Sequence, residues 1–367
     1  MELALLNKQL KKAKTPEDIF GILPGDGTAQ EAAIKKSYRA MVKITYVDHQ
    51  PDALKPLAEA TFRLLNDKYE EALKRVENGI YGKKAETPKP PPSVSAPVEV
   101  KSKKGTYTVI KALATSDTNT LYLCNTKRKK AVLKVIRNPR DNDLMDNELR
   151  VLKAIKTDNK MAKYYPEALD SFTILDKKVR KNTTVFPYDP DFYSGDEVIA
   201  EYPMGVDALD FAWMFNRILE VMWNTHKAGY VHGAFLPPHV LFGQESHGLI
   251  LTEWGYAVPI GQPLKAVSPQ YEGWYPREVF KKEPAGPGID IYMAAKTGIR
   301  LLGGDPVKEK VPAAIPVQIT GFLRACILPS VNRRPNDAGA LREEFGDLLK
   351  VLFGKRAFHP WKMPAHI

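Results

Sequence analysis

Cysteine is scarce in this chain: Cys124 and Cys326 are the two among 367 residues. Two thiols cannot make a disulfide framework, nor by themselves a tetrahedral metal site, so a reducing cytoplasm is the expected compartment. No run of about 18 apolar residues occurs, so no membrane-spanning helix is expected. The opening stretch MELALLNKQLKKAK alternates apolar and charged residues at helical spacing. It lacks the basic, then continuously apolar, then small-residue order of a secretion signal. Acidic residues are outnumbered by basic ones, 43 against 54, which leaves a net charge of +11. Such a surplus attracts nucleic acid or acidic partners. The lysines are spread widely, and no RNA-binding signature interleaves aromatics with them, so nucleic acid is not an expected partner.

What is present changes character along the chain. Residues 1–82 read almost wholly helical. Thr15-Pro16-Glu17-Asp18 is a helix start with proline and acids in the first turn. Ile34, Tyr38, Met41 and Val42 recur at helical spacing between Ala29 and Lys43, with Lys35, Lys36, Arg39 and Lys43 on other faces. A long helix from Leu57 to Val76 turns Ala58, Phe62, Leu65, Tyr69, Ala72 and Leu73 toward a core. IFGILPGDGTAQEAAIKKSYRAMVKITY and FRLLNDKYEEAL resemble the helices of a J domain, the co-chaperone module that stimulates a heat-shock ATPase. The defining His-Pro-Asp tripeptide falls on Tyr46, Val47 and Asp48, so the acid alone survives. The resemblance implies a chaperone-type partner, and the altered tripeptide implies that ordinary stimulation is lost.

Residues 83–104 carry four prolines between 88 and 92 and a fifth at 97, among lysines and serines. That composition predicts an extended linker with no packed core. From Gly105 onward short β-rich runs take over: TYTVIKAL, TLYLCN and KKAVLKVIR, then strands near Phe172–Leu175 and Thr183–Phe186. VIAEY, from Val198 to Tyr202, reads as a further strand. Leu209 to Lys227 is a long helix burying Phe211, Met214, Phe215, Ile218, Leu219 and Met222.

GYVHGAFLPPHVLFGQESHGLILTEWGYA, from Gly229 to Ala257, organises this half. A strand end leads to a loop with His232, a hairpin follows, and its last strand ends on Glu253-Trp254-Gly255. The order resembles the catalytic and metal loops of the protein kinase fold, His-Arg-Asp-Leu-x-x-x-Asn and Asp-Phe-Gly. His232 matches the His, Gly233 and Ala234 stand for Arg and Asp, His239 for Asn, and Glu253 for the metal-binding Asp. Lys134, in Ala131-Val132-Leu133-Lys134, matches the phosphate-pairing lysine, and Glu148 its helix carboxylate partner. The glycine-rich loop falls on Ala114, Ser116 and Asn119. Glu201, Tyr202 and Met204 take the hinge that would bond an adenine, with Ala200 as a small gatekeeper. Glu278, Asp290 and Arg334 match residues that hold the kinase fold together.

The expected class is a multidomain α+β chain: a J-like all-α module at 1–82, the linker at 83–104, and a two-lobed kinase-like domain. Its lobes are placed at 105–207 and 208–367, the second with an aromatic, proline-rich tail. The resemblance implies ATP and magnesium, held weakly or not at all. Phosphoryl transfer needs a carboxylate at the attacking hydroxyl, and Ala234 supplies none. General-base catalysis alone contributes roughly 10² to 10⁴-fold. The expectation is a pseudokinase fused to a J-like module, a binding, scaffolding or co-chaperone-like protein with unidentified protein partners rather than an enzyme. The alternative is an atypical ATP-dependent Ser/Thr protein kinase using Glu253 and another base.

Overall fold

A computed structural model describes residues 3–13, 15–23, 27–46, 50–77, 81–82, 98–155, 162–176, 178–355 and 358–366. The chain is mixed α+β and divides into two compact units, Met1–Lys89 and Pro90–Ile367. Residues 83–97 of the expected linker lie outside the described residues, as do Val47 and Asp48. Among the described residues no helix is long and apolar enough to cross a membrane.

The first unit is built from α1 (Leu3–Lys12), α2 (Glu17–Phe20), α3 (Gly27–Val42) and α4 (Lys55–Glu77). Leu3, Leu6 and Leu10 line one face of α1 at spacings of three and four, which buries them together. Asn7 on the same face donates to Thr61 Oγ1 at 2.8 Å, so α1 meets α4 through a satisfied polar contact as well. Ile34 from α3 and Leu65, Ala72 and Val76 from α4 complete the core with Phe20. Tyr38 stacks on Tyr69 with ring centroids 3.9 Å apart. Phe62 departs from expectation: it is 39% exposed. The buried stripe of α4 runs through Ala58, Thr61 and Leu65, and Phe62 falls one residue off it, some 100° around the helix. Tyr46 is also exposed.

The second unit opens with a six-stranded antiparallel sheet. β1 (Val98–Lys101) pairs with β2 (Thr106–Thr115), then β3 (Asn119–Asn125) and β4 (Lys130–Ile136) follow. β1 lies inside the expected linker. Its Val-Glu-Val-Lys alternation finds an open sheet edge, and backbone pairing overrides the extended-linker composition. Helix α5 (Asn142–Ile155) crosses to β5 (Asp170–Asp176) and β6 (Val179–Pro187), giving the order β1-β2-β3-β4-β6-β5.

Beyond the sheet come β7 (Phe192–Ser194), α6 (Gly195–Glu201) and α7 (Ala208–Lys227). The strand expected at 198–202 is the helix α6. Ser194 and Glu197 form a reciprocal capping box, and two acids in the first turn favour helix over the β-branched character of Val198 and Ile199. β7 pairs with β9, so this stretch belongs with the elements after it and not with the six-stranded sheet.

Phe211, Met214, Phe215, Ile218, Leu219 and Met222 are buried along α7. Then follow β8 (Tyr230–Val231), β9 (Val240–Gly243), β10 (Leu249–Leu251) and β11 (Val258–Pro259). The β9–β10 hairpin extends β7, and β11 closes on β8. The chain finishes with α8 (Arg277–Phe280), α9 (Pro287–Leu301), α10 (Val317–Cys326) and α11 (Ala338–Phe353). α9 is the central buried helix, almost apolar all round, and α7, α10, α6 and β8 gather about it.

Candidate functional site

Three charged side chains meet between the six-stranded sheet and the loops of the second half. Lys134 sits in β4 with Leu121 of β3 on one side and Thr184 of β6 on the other, so its backbone is fixed by two ladders. Met145, Glu148, Leu152 and Ile155 share the buried stripe of α5, which forces a carboxylate into the interior. Such a group needs partners, because an unpaired buried charge is costly. Lys134 Nζ donates to both Glu148 oxygens at 2.9 Å, and Trp254 N donates to Glu148 Oε1 at 3.1 Å.

Glu253, just after β10, holds a left-handed backbone at φ 63°. That conformation turns its carboxylate back to Lys134 Nζ at 3.1 Å. Asn119 Nδ2 donates to Glu253 Oε1 at 3.1 Å as well. All four side chains are buried. Burial works against the ammonium, but Glu148 and Glu253 more than offset it and Lys134 is held protonated. Burial pushes the Glu148 carboxyl upward against the pull of Lys134. It opposes Glu253 too, yet there Lys134 prevails and the carboxyl is lowered.

Asn119 ends a turn that closes over this cluster. Asn119 N donates to Ser116 Oγ at 3.0 Å, and Arg137 caps the turn by donating to the Thr118 and Ser116 carbonyls. Ser268 Oγ donates to Asp117 Oδ2 at 2.6 Å, so the segment before α8 reaches back to the same turn. The kinase resemblance puts Asn119 at a missing glycine and assigns it no contact. Its signal was available: a long polar side chain where the resemblance asks for none. Asp117 and Ser268 gave no signal, since nothing in the sequence joins positions 151 residues apart.

The loop at 232–239 is built differently. Asp290, at the start of α9, accepts from His232 N at 2.8 Å, Gly233 N at 2.7 Å and the His226 ring at 2.9 Å. Gly233 has φ +72°, a left-handed conformation that favours glycine, and a Cβ there would stand 2.7 Å from Leu264 Cδ2 and push that side chain aside. The His232 ring faces the Thr252 carbonyl through Nε2 at 2.9 Å and takes Ala234 N–H on Nδ1 at 3.2 Å. Donation to one and acceptance from the other require the neutral Nε2–H tautomer. Burial pushes the His232 imidazole down to about 4. His239 Nδ1 lies 2.9 Å from the Ala234 carbonyl, and burial lowers this imidazole too. Ala234, Phe235 and Leu236 are wholly buried.

The two histidines at the His and Asn positions of the degenerate catalytic loop thus hold backbone, and the side chains of Ala234, Phe235 and Leu236 between them are buried. Glu278 and Arg334 meet at 2.6 Å, and Arg334 also donates to the Gly288 carbonyl. The expected adenine hinge does not join the cluster. Met204 is 87% exposed, Glu201 is exposed, and Tyr202 donates its hydroxyl to the Lys362 carbonyl. Gly205 packs on the end of α9, where a Cβ would come within 2.2 Å of Leu302. The displacement follows from α6: once 195–201 is helical, β6 is the strand beside β4. Ala200 lies on that helix.

Among the described residues, one group of three acidic or imidazole side chains brings ligand atoms within 4.8 Å of one another. It comprises Asp207, Asp210 and His359, and excludes Glu253 and His239.

Neither protein-family models nor curated proteins match this chain. Its chemistry is read from its own side chains. Lys134 is saturated by carboxylates, Glu253 is shared between an ammonium and an amide, and the Ala234 backbone bonds the rings of His232 and His239.

Proposed function

We propose that this chain is a J-like and pseudokinase-like fusion that works by binding proteins, as a scaffold or co-chaperone-like factor in the cytoplasm. The observation that carries the reading is the Asn119–Glu253 contact beside Lys134. Under the kinase resemblance, phosphates would pass beneath position 119 with magnesium on Glu253. The Asn119 side chain fills that approach, and Lys134 already has two anionic partners. On this reading the residues present do not fit a magnesium nucleotide. His239, spent on the Ala234 carbonyl, is also a poor ligand for a hard cation that prefers oxygen. The kinase-like half then serves as a rigid platform. The helical unit offers the basic face of Lys35, Lys36, Arg39 and Lys43 around a shallow recess of about 430 Å³.

The formed Lys134–Glu148 pair favours one second reading, an atypical Ser/Thr kinase. It would need Asn119 to leave Glu253 and a base from outside the loop at 232–239. Labelled ATP with magnesium or manganese separates the two. The full chain should transfer no phosphate above a Lys134→Ala, Glu253→Ala double variant. Incorporation lost in that variant would establish the kinase.

A further inference from the structure

Helix α3 has two unlike sides. Ile34, Tyr38, Met41 and Val42 pack into the core of the helical unit. On the opposite side Ala32, Lys35, Lys36, Arg39, Ala40 and Lys43 are exposed and line the recess of about 430 Å³. These positions recur at three- and four-residue spacing, so the helix gathers on one side cations that look scattered along the sequence. Among the described residues Lys35 has an ion pair, with Glu31 one turn away, and Lys36, Arg39 and Lys43 have none.

We propose that this exposed basic face docks on the phosphate backbone of duplex DNA, independently of sequence. The chemistry of the recess selects that partner. Its walls are cations and alanines, with no large apolar or aromatic side chain among them. A protein partner draws most of its affinity from such anchors, and a single nucleic-acid strand from aromatic rings on which its bases stack. A duplex needs cations alone, because it carries one negative charge per about 1.7 Å of its axis. Lys36 to Lys43 spans about 10 Å of α3, a length that faces several phosphates. Ala32 and Ala40 leave the space between the cations open to a close approach. A helix also fits the roughly 12 Å major groove of B-form DNA, whereas that of duplex RNA is narrow. Docking there is independent of whether the kinase-like half binds proteins or nucleotide.

The test is fluorescence anisotropy of short labelled DNA duplexes, of unrelated sequences, titrated with the full chain. Affinity should be alike for the sequences and fall about 40- to 150-fold between 50 and 200 mM salt, the slope of three or four phosphate contacts. Reversing Lys36→Glu, Arg39→Glu and Lys43→Glu together should cost at least about tenfold, and the three alanine changes should weaken binding in the same direction. The same reversal at Lys127, Arg128 and Lys129, exposed between β3 and β4, should change affinity by less than about twofold. Circular dichroism checks that the altered chains stay helical. A single strand, an RNA duplex and polyglutamate should each compete more weakly than unlabelled DNA duplex. No binding at low salt, or equal losses from the two sets of reversals, would overturn the proposal. Competition by polyglutamate as strong as that by the duplex would also overturn it and give the face an acidic protein partner instead.

Discussion

The cluster around Lys134 and the loop beneath it solve burial in opposite ways. The cluster keeps three charges and pairs them side chain to side chain, with Asn119 and Trp254 N completing the set. The loop discards charge. Between His232 and His239 it presents glycine, alanine, phenylalanine, leucine and two prolines, and its backbone is braced by one carboxylate, Asp290. Charges that face one another can be retained without serving a ligand, whereas an unpaired carboxylate at Ala234 would have no partner. This contrast separates what supports the fold from what phosphoryl transfer would demand.

The sharpest break comes at Lys134. Replacing it with alanine leaves Glu148 and Glu253 buried without their cation, at an expected loss of about 3–5 kcal/mol in unfolding free energy. Adding Glu148→Gln and Glu253→Gln should recover most of that loss. Denaturant midpoints measure both, and full additivity of the three changes would contradict a coupled cluster.

The loop should respond next, through pH. The folded state holds His232 near 4, below its ordinary 6.5, so the unfolded chain binds the proton more readily. Stability from this group is complete above about 6.5 and falls as pH drops toward 4. The span of about two and a half pH units, at about 1.4 kcal/mol each, comes to about 3–4 kcal/mol. His239 is shifted in the same direction and adds to it. A His232→Gln chain should show a flatter pH profile between 6.5 and 4; an unchanged slope would place the acid sensitivity elsewhere.

A smaller effect is expected at the brace. Asp290→Asn keeps one acceptor oxygen but loses the charge that the two backbone N–H groups share, about 1–3 kcal/mol. Hydrogen exchange at His232 and Gly233 should rise with it, and exchange in β4 should not.

How much of this could be read beforehand depends on the range of the interaction. β2, β3, β4 and α5 announce themselves by period, and Lys134 and Glu148 fall on the buried faces that those periods define. Local chemistry was misread in two places. Val198 and Ile199 suggested a strand, although Ser194 and Glu197 already spelled a helix cap. Val98 to Lys101 was absorbed into a proline-rich segment because a lone four-residue strand has no meaning until its partner is known. The contacts that decide the site's chemistry are long-range: Asn119 to Glu253 spans 134 residues and Asp117 to Ser268 spans 151. Periodicity carries no information at that distance. The same holds for the tail, whose aromatic and proline content fits a packed or a free segment equally until Tyr193 and Trp213 are placed beside it.

The central claim is that the Lys134 cluster is complete without a ligand, and calorimetric titration of the full chain with magnesium ATP tests it most directly. Wild type should give no binding heat at millimolar nucleotide, while Asn119→Gly, which clears the approach to Glu253, should bind measurably. Saturable binding by the wild-type chain that disappears in Lys134→Ala would contradict the account.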